Sequence, residues 1–225
     1  MIFGIIVAAG KSERMGPDVD KAFLSLGVRP VLAYSLLAFE QCPAIDGVIL
    51  VVRKDRVESA RGLAQVFGCA KVRKIVAGGA TRQVSVRNGL AELGDDVEVV
   101  AVHDGARPCV TPRIIEECIR AAKRGGSGVA AVKVTDTIKE VERNMVVSRT
   151  VDRTRLWAVQ TPQGFRVDLL KRAYEYVEKK KLTVTDDAAA VEELGERVQL
   201  VASSWSNIKV TTPEDLALAA TLLKV

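Results

Sequence analysis

The stretch GIIVAAGKSERMG, beginning at Gly4, brings Lys11, Glu13 and Arg14 into one short loop directly behind a hydrophobic run. Ala8, Ala9 and Gly10 carry almost no side chain, so an anion can approach the backbone amides there closely. Arg14 and Lys21 lie seven residues apart in a loop without helical period. Together they could clamp a polyphosphate, the guanidinium through paired hydrogen bonds and the ammonium as a point charge. From Ala-Ala-Gly alone, a surface loop with solvated charges is the stronger reading. A dinucleotide fingerprint fits worse still, because Ser12 and Met15 stand where it requires glycines.

Two further stretches could complete such a site. In VAVHDGARP an apolar run ends at His103 and Asp104, then turns through Gly105 towards Arg107. A carboxylate at the carboxyl end of a central parallel strand stands on the rim where open α/β sheets take their ligands. One acid with room around it suits Mg2+, which keeps most of its waters and takes further ligands from substrate phosphates. Asp-Gly also makes an ordinary turn, and a histidine beside it can simply fill a niche. In GGATRQVSVRNG, Gly78 and Gly79 precede Ser85 at an expected helix start. That arrangement could seat a base or phosphate on free amides, or be no more than a turn and its cap. RTVDRTRLWAVQTPQGF and SNIKVTTPEDL read as irregular polar loops facing either solvent or an anion.

What must hold these loops is an alternation of strand and helix. Short apolar runs recur at 2–7, 48–52, 72–76, 97–102, 128–134 and 198–201, with helical periodicity over 31–39, 56–67, 82–93 and 112–123. Strands apolar on both faces, separated by helices, predict a mostly parallel sheet covered on two sides. The rhythm breaks after Val134, where TDTIKEVERNMVVSRTVDR predicts a polar hairpin that projects from the sheet and finds cover elsewhere. VDLLKRAYEYVEKKK is an amphipathic helix. TDDAAAVEELG is another, capped by Thr185 or Asp186 and stopped by Gly195. Thr212 and Pro213 open a last helix with acids in its first turn.

Composition narrows the function classes. A chain of 225 residues, 48% hydrophobic and 27% charged, can build a sizeable core. A net charge of +5 suits nucleotides or phosphorylated metabolites; nucleic acid fits poorly, since the Lys and Arg residues are scattered. No apolar run approaches the ~20 residues of a membrane span, and MIFGIIVAAG lacks a basic leader. Cys42, Cys69, Cys109 and Cys118 have neither C-x-x-C spacing nor more than one histidine to join them, so buried free thiols in a reducing cytoplasm are expected.

Taken in order, AAGKSERMG, DKAFLSLG, VAGGATRQVSV, VHDGARP, VTDTIK, TVDRTRLWAVQTPQGF, TVTDDAAAVEELG and NIKVTTPEDL resemble the cytidylyltransferases of the non-mevalonate isoprenoid pathway. These enzymes join CTP to 2-C-methyl-D-erythritol 4-phosphate and release pyrophosphate. The resemblance runs from Val7 to Leu218. It implies an α/β, Rossmann-like nucleotidyltransferase fold over residues 1–225 as a single domain, with a β-hairpin arm at about 135–152 used for dimerisation. Arg14, Lys21 and Lys209 then correspond to the catalytic cations. Ala8, Ala9, Gly10, Gly79, Ser85 and Asp104 correspond to the nucleotide site, with Asp104 also the Mg2+ ligand. Arg107, Thr137, Arg153, Thr161 and Thr185 resemble the methylerythritol phosphate contacts, and the arm of a homodimer would carry Thr137 and Arg153 into the partner's site. Three positions depart from the family pattern: Ser12 stands where many members have Gly, and Ala80 and Ser206 where some carry acids. A second metal carboxylate is therefore not assigned.

The resemblance implies attack by a substrate phosphate oxygen on the α-phosphorus of CTP, which needs no protein nucleophile. A ribitol-5-phosphate cytidylyltransferase would share the nucleotide half. A non-catalytic nucleotide- or RNA-binding module is the alternative from another class, and an NAD-dependent oxidoreductase a more distant one.

Overall fold

Through its first half the chain alternates strand and helix as its hydrophobic pattern requires. The computed structural model describes residues 1–10 and 20–225. β1 (Ile2–Ala8) leads to a small hairpin of β2 (Ser25–Leu26) and β3 (Arg29–Pro30), then to α1 (Val31–Gln41) and β4 (Gly47–Val52). There follow α2 (Val57–Val66), β5 (Val72–Ala77), α3 (Arg82–Ala91), β6 (Val99–Asp104), α4 (Pro112–Gly125) and β7 (Ser127–Lys133). The second half carries β8 (Ile138–Val141), β9 (Val147–Val151) and β10 (Trp157–Arg166). It ends with α5 (Val167–Lys179), α6 (Asp187–Glu193), β11 (Leu200–Ala202) and α7 (Pro213–Leu223).

Seven strands form one sheet in the order β11-β7-β10-β6-β1-β4-β5. Six of them run parallel in two groups, and β10 lies antiparallel between β6 and β7. Successive strand residues point to opposite faces. Val48, Leu50 and Val52 of β4 therefore pack with α1, α2 and α4, in one cluster with Leu36, Leu63 and Ile115. Ile49 and Val51 face the other way, to Leu90, Leu170 and Val191 of α3, α5 and α6. α4 sits directly on the sheet because β7 and β10 offer it glycines: a Cβ at Gly128 or Gly164 would run into the Cys118 carbonyl oxygen. The helix ends follow the sequence signals. Asp186 caps α6, Gly195 beyond it has φ +86°, and Thr212 with Asp215 forms a capping box on α7.

Two corrections to the sequence reading concern strands. RTVDRTRLWAVQTPQGF is largely a strand, not a loop, since β10 fills the middle of the sheet. Its polarity is satisfied internally: Gln163 donates to Asp186 and accepts from the Ala188 amide, and Gln160 bonds Ser204 and Asn207. Pro162 falls where the pairing with β7 shifts register between Val159 and Gln163, at an irregularity of the kind that spares proline a ladder bond. The hairpin β2–β3, turning through Gly27 at φ +60°, was also not anticipated.

The hairpin expected after Val134 is present as β8 and β9, paired antiparallel. Its residues are almost all exposed, including Val141, Met145, Val146 and Val147. At the sheet edges, β5 exposes Arg73 and Lys74, and β11 is only three residues long. Cys42, Cys69 and Cys118 are buried free thiols, as expected, while Cys109 is half-buried. Among the described residues no helix is long and apolar enough to cross a membrane.

Candidate active site

β1 and β6 lie side by side with Val7 opposite Asp104, so the Ala8-Ala9-Gly10 turn and Asp104 leave the sheet together. Close backbone approach is enforced here. A Cβ at Gly78 would overlap that of Ala9 and come within 2.8 Å of Ser85 Oγ. The amides expected to be free at this glycine pair are not. Gly78 N–H donates to the Val52 carbonyl at 2.7 Å, and Gly79 N–H donates to Ser85 Oγ at 3.1 Å. Ser85 is not at the helix start either; Thr81 caps α3, and the buried Ser85 hydroxyl donates back to the Thr81 carbonyl at 2.9 Å. These groups are satisfied by bonding one another and the neighbouring strand, beside the end of β1.

Asp104 is the electrostatic centre. Its Oδ1 accepts from Arg82 Nε at 3.0 Å, and its Oδ2 accepts from Lys209 Nζ at 2.6 Å. Burial would push the carboxyl up, but Arg82 and then Lys209 overcome this and hold it well below the usual carboxylate range. Arg82 was not singled out from the sequence. Its guanidinium bridges two acids, donating through Nη2 to Asp187 Oδ2 at 2.8 Å as well as to Asp104. Burial draws its pKa down, yet Asp187 and Asp104 more than reverse this and raise it. A local signal did exist: Arg82 is the first residue of α3, where a cation meets the positive end of the helix dipole and needs a tertiary partner.

Behind Asp104, His103 is fully buried against Phe39, and its pKa is pushed down to about 3 chiefly by that burial. His103 Nε2 faces the Arg107 carbonyl at 3.3 Å, which selects the Nε2–H tautomer and leaves Nδ1 to accept. Thr161 Oγ1 donates to that Nδ1 at 3.0 Å and accepts the Asp104 amide at 3.0 Å. Thr161 is thus buried behind the strand end, with both capacities of its hydroxyl engaged. Arg107 donates to the Asn207 carbonyl at 2.7 Å, and its buried Nε has no hydrogen-bond partner among the described residues. Asn207, also missed in the sequence, donates to Gln160 and to the Thr161 carbonyl and so fixes the loop that delivers Lys209.

The remaining candidates lie around this cluster. Lys21 opens a single turn, Lys21–Phe23, capped by the buried Asp20 through the Ala22 amide. Arg14 lies outside the described residues. Thr137 and Arg153 meet at the base of the arm, where Arg153 Nη1 donates to Thr137 Oγ1 at 3.2 Å, both exposed. Thr185 is exposed immediately before the α6 cap. Among the described residues no three His, Cys, Asp or Glu side chains are grouped to hold a metal ion. The donor set at Asp104 is a single carboxylate. The room expected around this acid is absent: both its oxygens already accept from a cation and it is buried, so it could offer a hard cation only a remaining lone pair, the other ligands being water and ligand phosphate.

Comparison with known proteins covers the whole chain. The model of the family described as IspD, 2-C-methyl-D-erythritol 4-phosphate cytidylyltransferase, matches residues 2–225. The 2-C-methyl-D-erythritol 4-phosphate cytidylyltransferase of Alkaliphilus oremlandii (strain OhILAs) is 47% identical over 221 residues, covering 98% of this chain and 94% of that protein. The enzyme of the same name from Dehalococcoides mccartyi (strain ATCC BAA-2266 / KCTC 15142 / 195) is 46% identical over 220 residues, 98% of this chain and 95% of the relative. Among solved structures, the 4-diphosphocytidyl-2C-methyl-D-erythritol synthase of Anaerococcus prevotii DSM 20548 superposes with a TM-score of 0.86 at 32% identity, covering 100% of this chain and 98% of that one. The 2-C-methyl-D-erythritol 4-phosphate cytidylyltransferase of Thermus thermophilus gives 0.82 at 34%, covering 98% of each.

Proposed function

The chain belongs to the 2-C-methyl-D-erythritol 4-phosphate cytidylyltransferase family, and we propose that the cluster centred on Asp104 is where its reaction takes place. The enzyme transfers CMP from CTP to 2-C-methyl-D-erythritol 4-phosphate, giving 4-diphosphocytidyl-2-C-methyl-D-erythritol and pyrophosphate in the non-mevalonate pathway. The observation that carries the site assignment is the carboxylate at the end of β6, held between Arg82 and Lys209 beside the small-residue turn of β1.

A phosphate oxygen of methylerythritol phosphate attacks the α-phosphorus of CTP in line. As that bond forms, the bond from the α-phosphorus to the bridging oxygen breaks, and pyrophosphate leaves with the electron pair. The attacking oxygen is already anionic, so no protein base takes part. The difficulty is to bring two anions together and to hold the charge that develops between them. Lys209, Lys21 and Arg14 supply cations for that charge, while Ala8, Ala9 and Gly10 let the triphosphate approach the backbone. Gly79 and Ser85 form the wall at the base and ribose.

Asp104 would hold Mg2+ carried in on CTP, its one carboxylate fitting an ion that keeps water and phosphate ligands. When bound, that ion neutralises phosphate charge. Arg107, with its unpartnered Nε, and Thr185 face the methylerythritol phosphate. Thr161 belongs to the same side through its grip on His103 and Asp104. Thr137 and Arg153 serve the site of a second subunit, in a homodimer whose arm finds there the cover it lacks in one chain. The reading treats residues 1–225 as a single catalytic domain with its arm at about 135–152, working in the cytoplasm.

The deciding experiment is pyrophosphate release from CTP plus methylerythritol phosphate, with CTP alone and CTP plus ribitol 5-phosphate as controls. Release only with methylerythritol phosphate is expected. Preference for ribitol 5-phosphate, or binding of CTP without turnover, would overturn the reading.

A further inference from the structure

Tyr174 and Asp187 form a buried pair that touches no surface where substrate can reach. Asp187, on the first turn of α6, is fully buried; Tyr174 of α5 is 2% exposed. The Tyr174 hydroxyl donates to Asp187 Oδ1 at 2.5 Å, and Asp187 Oδ2 accepts from Arg82 at 2.8 Å. Burial, and then Asp187, push the tyrosine pKa up, so it stays a donor. Arg82 continues the line to Asp104, and Asp104 to Lys209. Five side chains from five segments are thereby threaded into one path, from the interior of α5 to the cation at the cleft.

We propose that Asp187, backed by Tyr174, is a positioning residue for cytidylyl transfer, acting on Asp104 through Arg82; this rests on the function proposed above. A buried ion pair is a weak source of stability, because removing charges from water offsets most of the attraction. What the pair does supply is direction. With Nη2 tied to Asp187, the guanidinium can offer Nε to Asp104 Oδ1 in only one orientation, which leaves Oδ2 facing Lys209. Without Asp187, Arg82 would be a long, rotatable cation at the positive end of α3, free to turn into the cleft and pair with a ligand phosphate itself. The same short segment has a second attachment, since Asp186 accepts from Gln163 at 2.8 Å and Thr185 precedes it at the mouth. Residues 186 and 187 therefore join Gln163 of β10 to Arg82 of α3.

The test compares Asp187→Asn, Tyr174→Phe and Asp104→Asn, singly and as the Asp187→Asn/Asp104→Asn double variant. Three quantities are read: thermal unfolding, the calorimetric affinity for CTP with magnesium, and kcat and KM for both substrates. Asp187→Asn should weaken CTP binding and kcat/KM for CTP by about 10- to 100-fold, the usual range when a group orienting a ligand-holding residue is lost. KM for methylerythritol phosphate should not change. Tyr174→Phe, which removes one hydroxyl from an otherwise intact core, should act in the same direction and more weakly. In the Asp104→Asn background, Asp187→Asn should weaken CTP binding no further, because its effect passes through the missing carboxylate. Independent, additive losses would overturn the proposal. So would a fall in thermal stability with both affinity and kinetics unchanged in Tyr174→Phe. A wild-type protein that released no pyrophosphate would instead defeat the proposed function, and the positioning role with it.

Discussion

At the end of β6 the carboxylate is answered from within the chain, Asp104 by Arg82 and Lys209, and Arg82 again by Asp187, while Arg107 keeps an unpartnered Nε among the described residues. On the hairpin of β8 and β9 the balance is reversed. Its ion pair, Arg149 with Glu140, is exposed, and Met145, Val146 and Val147 are 82%, 59% and 53% exposed. In the first region the charges around Asp104 are fixed within one chain before a ligand arrives, which is the condition for electrostatic catalysis. The second has folded locally without acquiring a core, and its apolar surface gains only when something else covers it. Substitutions in the two should therefore have different consequences: rate and pH response at the strand end, assembly on the arm.

The sharpest contrast is expected at Lys209. Lys209→Ala should lower kcat by about 10²–10³, the usual consequence of losing one preorganised charge donor. Because Asp104 keeps Arg82, thermal unfolding should shift little. Pyrophosphate release measures the first and calorimetry the second. Near-normal turnover would reduce the Lys209–Asp104 contact to an incidental ion pair.

The arm is tested by mixing defects. Lys21→Ala and Arg153→Ala proteins should each be nearly inactive if Arg153 completes the partner's site. Refolded together in equal amounts, about half the dimers are mixed, and one site in each of those carries both substitutions while the other carries neither. About a quarter of all sites should then be intact, for a two-fold assembly. Absence of recovery despite demonstrated exchange would put Lys21 and Arg153 in the same chain's site, or remove Arg153 from it.

His103 gives the strand end a signature in pH. It is the single histidine, and its folded pKa of about 3 lies below the ordinary value near 6.5. In the interval between, the unfolded chain binds a proton that the folded chain does not, so stability falls as pH falls. From pH 6.5 to 5.5 the loss should be about 1 kcal/mol in urea unfolding. The depressed Asp104 carboxyl contributes at lower pH, below the ordinary Asp value of about 3.9. A flat profile across the upper interval would mean that His103 is not buried neutral.

The smallest effect is expected at the arm tip. Met145→Glu should change the unfolding free energy of the isolated chain by no more than about 0.5 kcal/mol, since the side chain packs against little. Sedimentation should detect any weakening of association separately. A loss of several kcal/mol would show that the hairpin has a core after all.

The sequence made the parallel part of the sheet legible, because 2–7, 48–52, 72–76 and 97–102 are short β-rich runs, broken only by Arg73, Lys74 and Glu98, between periodic helices. β10 escaped the same reading because its buried residues include Gln160, Thr161 and Gln163, whose partners Asn207, His103 and Asp186 are remote in the chain. A polar residue in a strand announces a network only when the other end of the bond is known. The same limit applied at the site. Asp104 and Lys209 were legible from ordered motifs, whereas Arg82 and Asp187 draw their meaning from each other across 105 positions. Ser85 and the glycines before it were expected to present a helix start and free amides, but Ser85 lies inside α3 and the amides are bonded to the Val52 carbonyl and to Ser85 Oγ.

The place of β10 also bears on how a nascent chain comes to life. The strand is inserted between β6 and β7, although both leave the ribosome before it does. Until Arg166 emerges, the flanks of that slot have no partner, and apolar residues such as Val100 and Val129 lack the covering Phe165 provides in the finished fold. Asp187 and Lys209 come later still. Translation thus brings the two sides of the site together late: β1, β4, β5 and β6 can pair while the polypeptide is growing, but the cation that meets Asp104 joins it only after every strand of the sheet has been made.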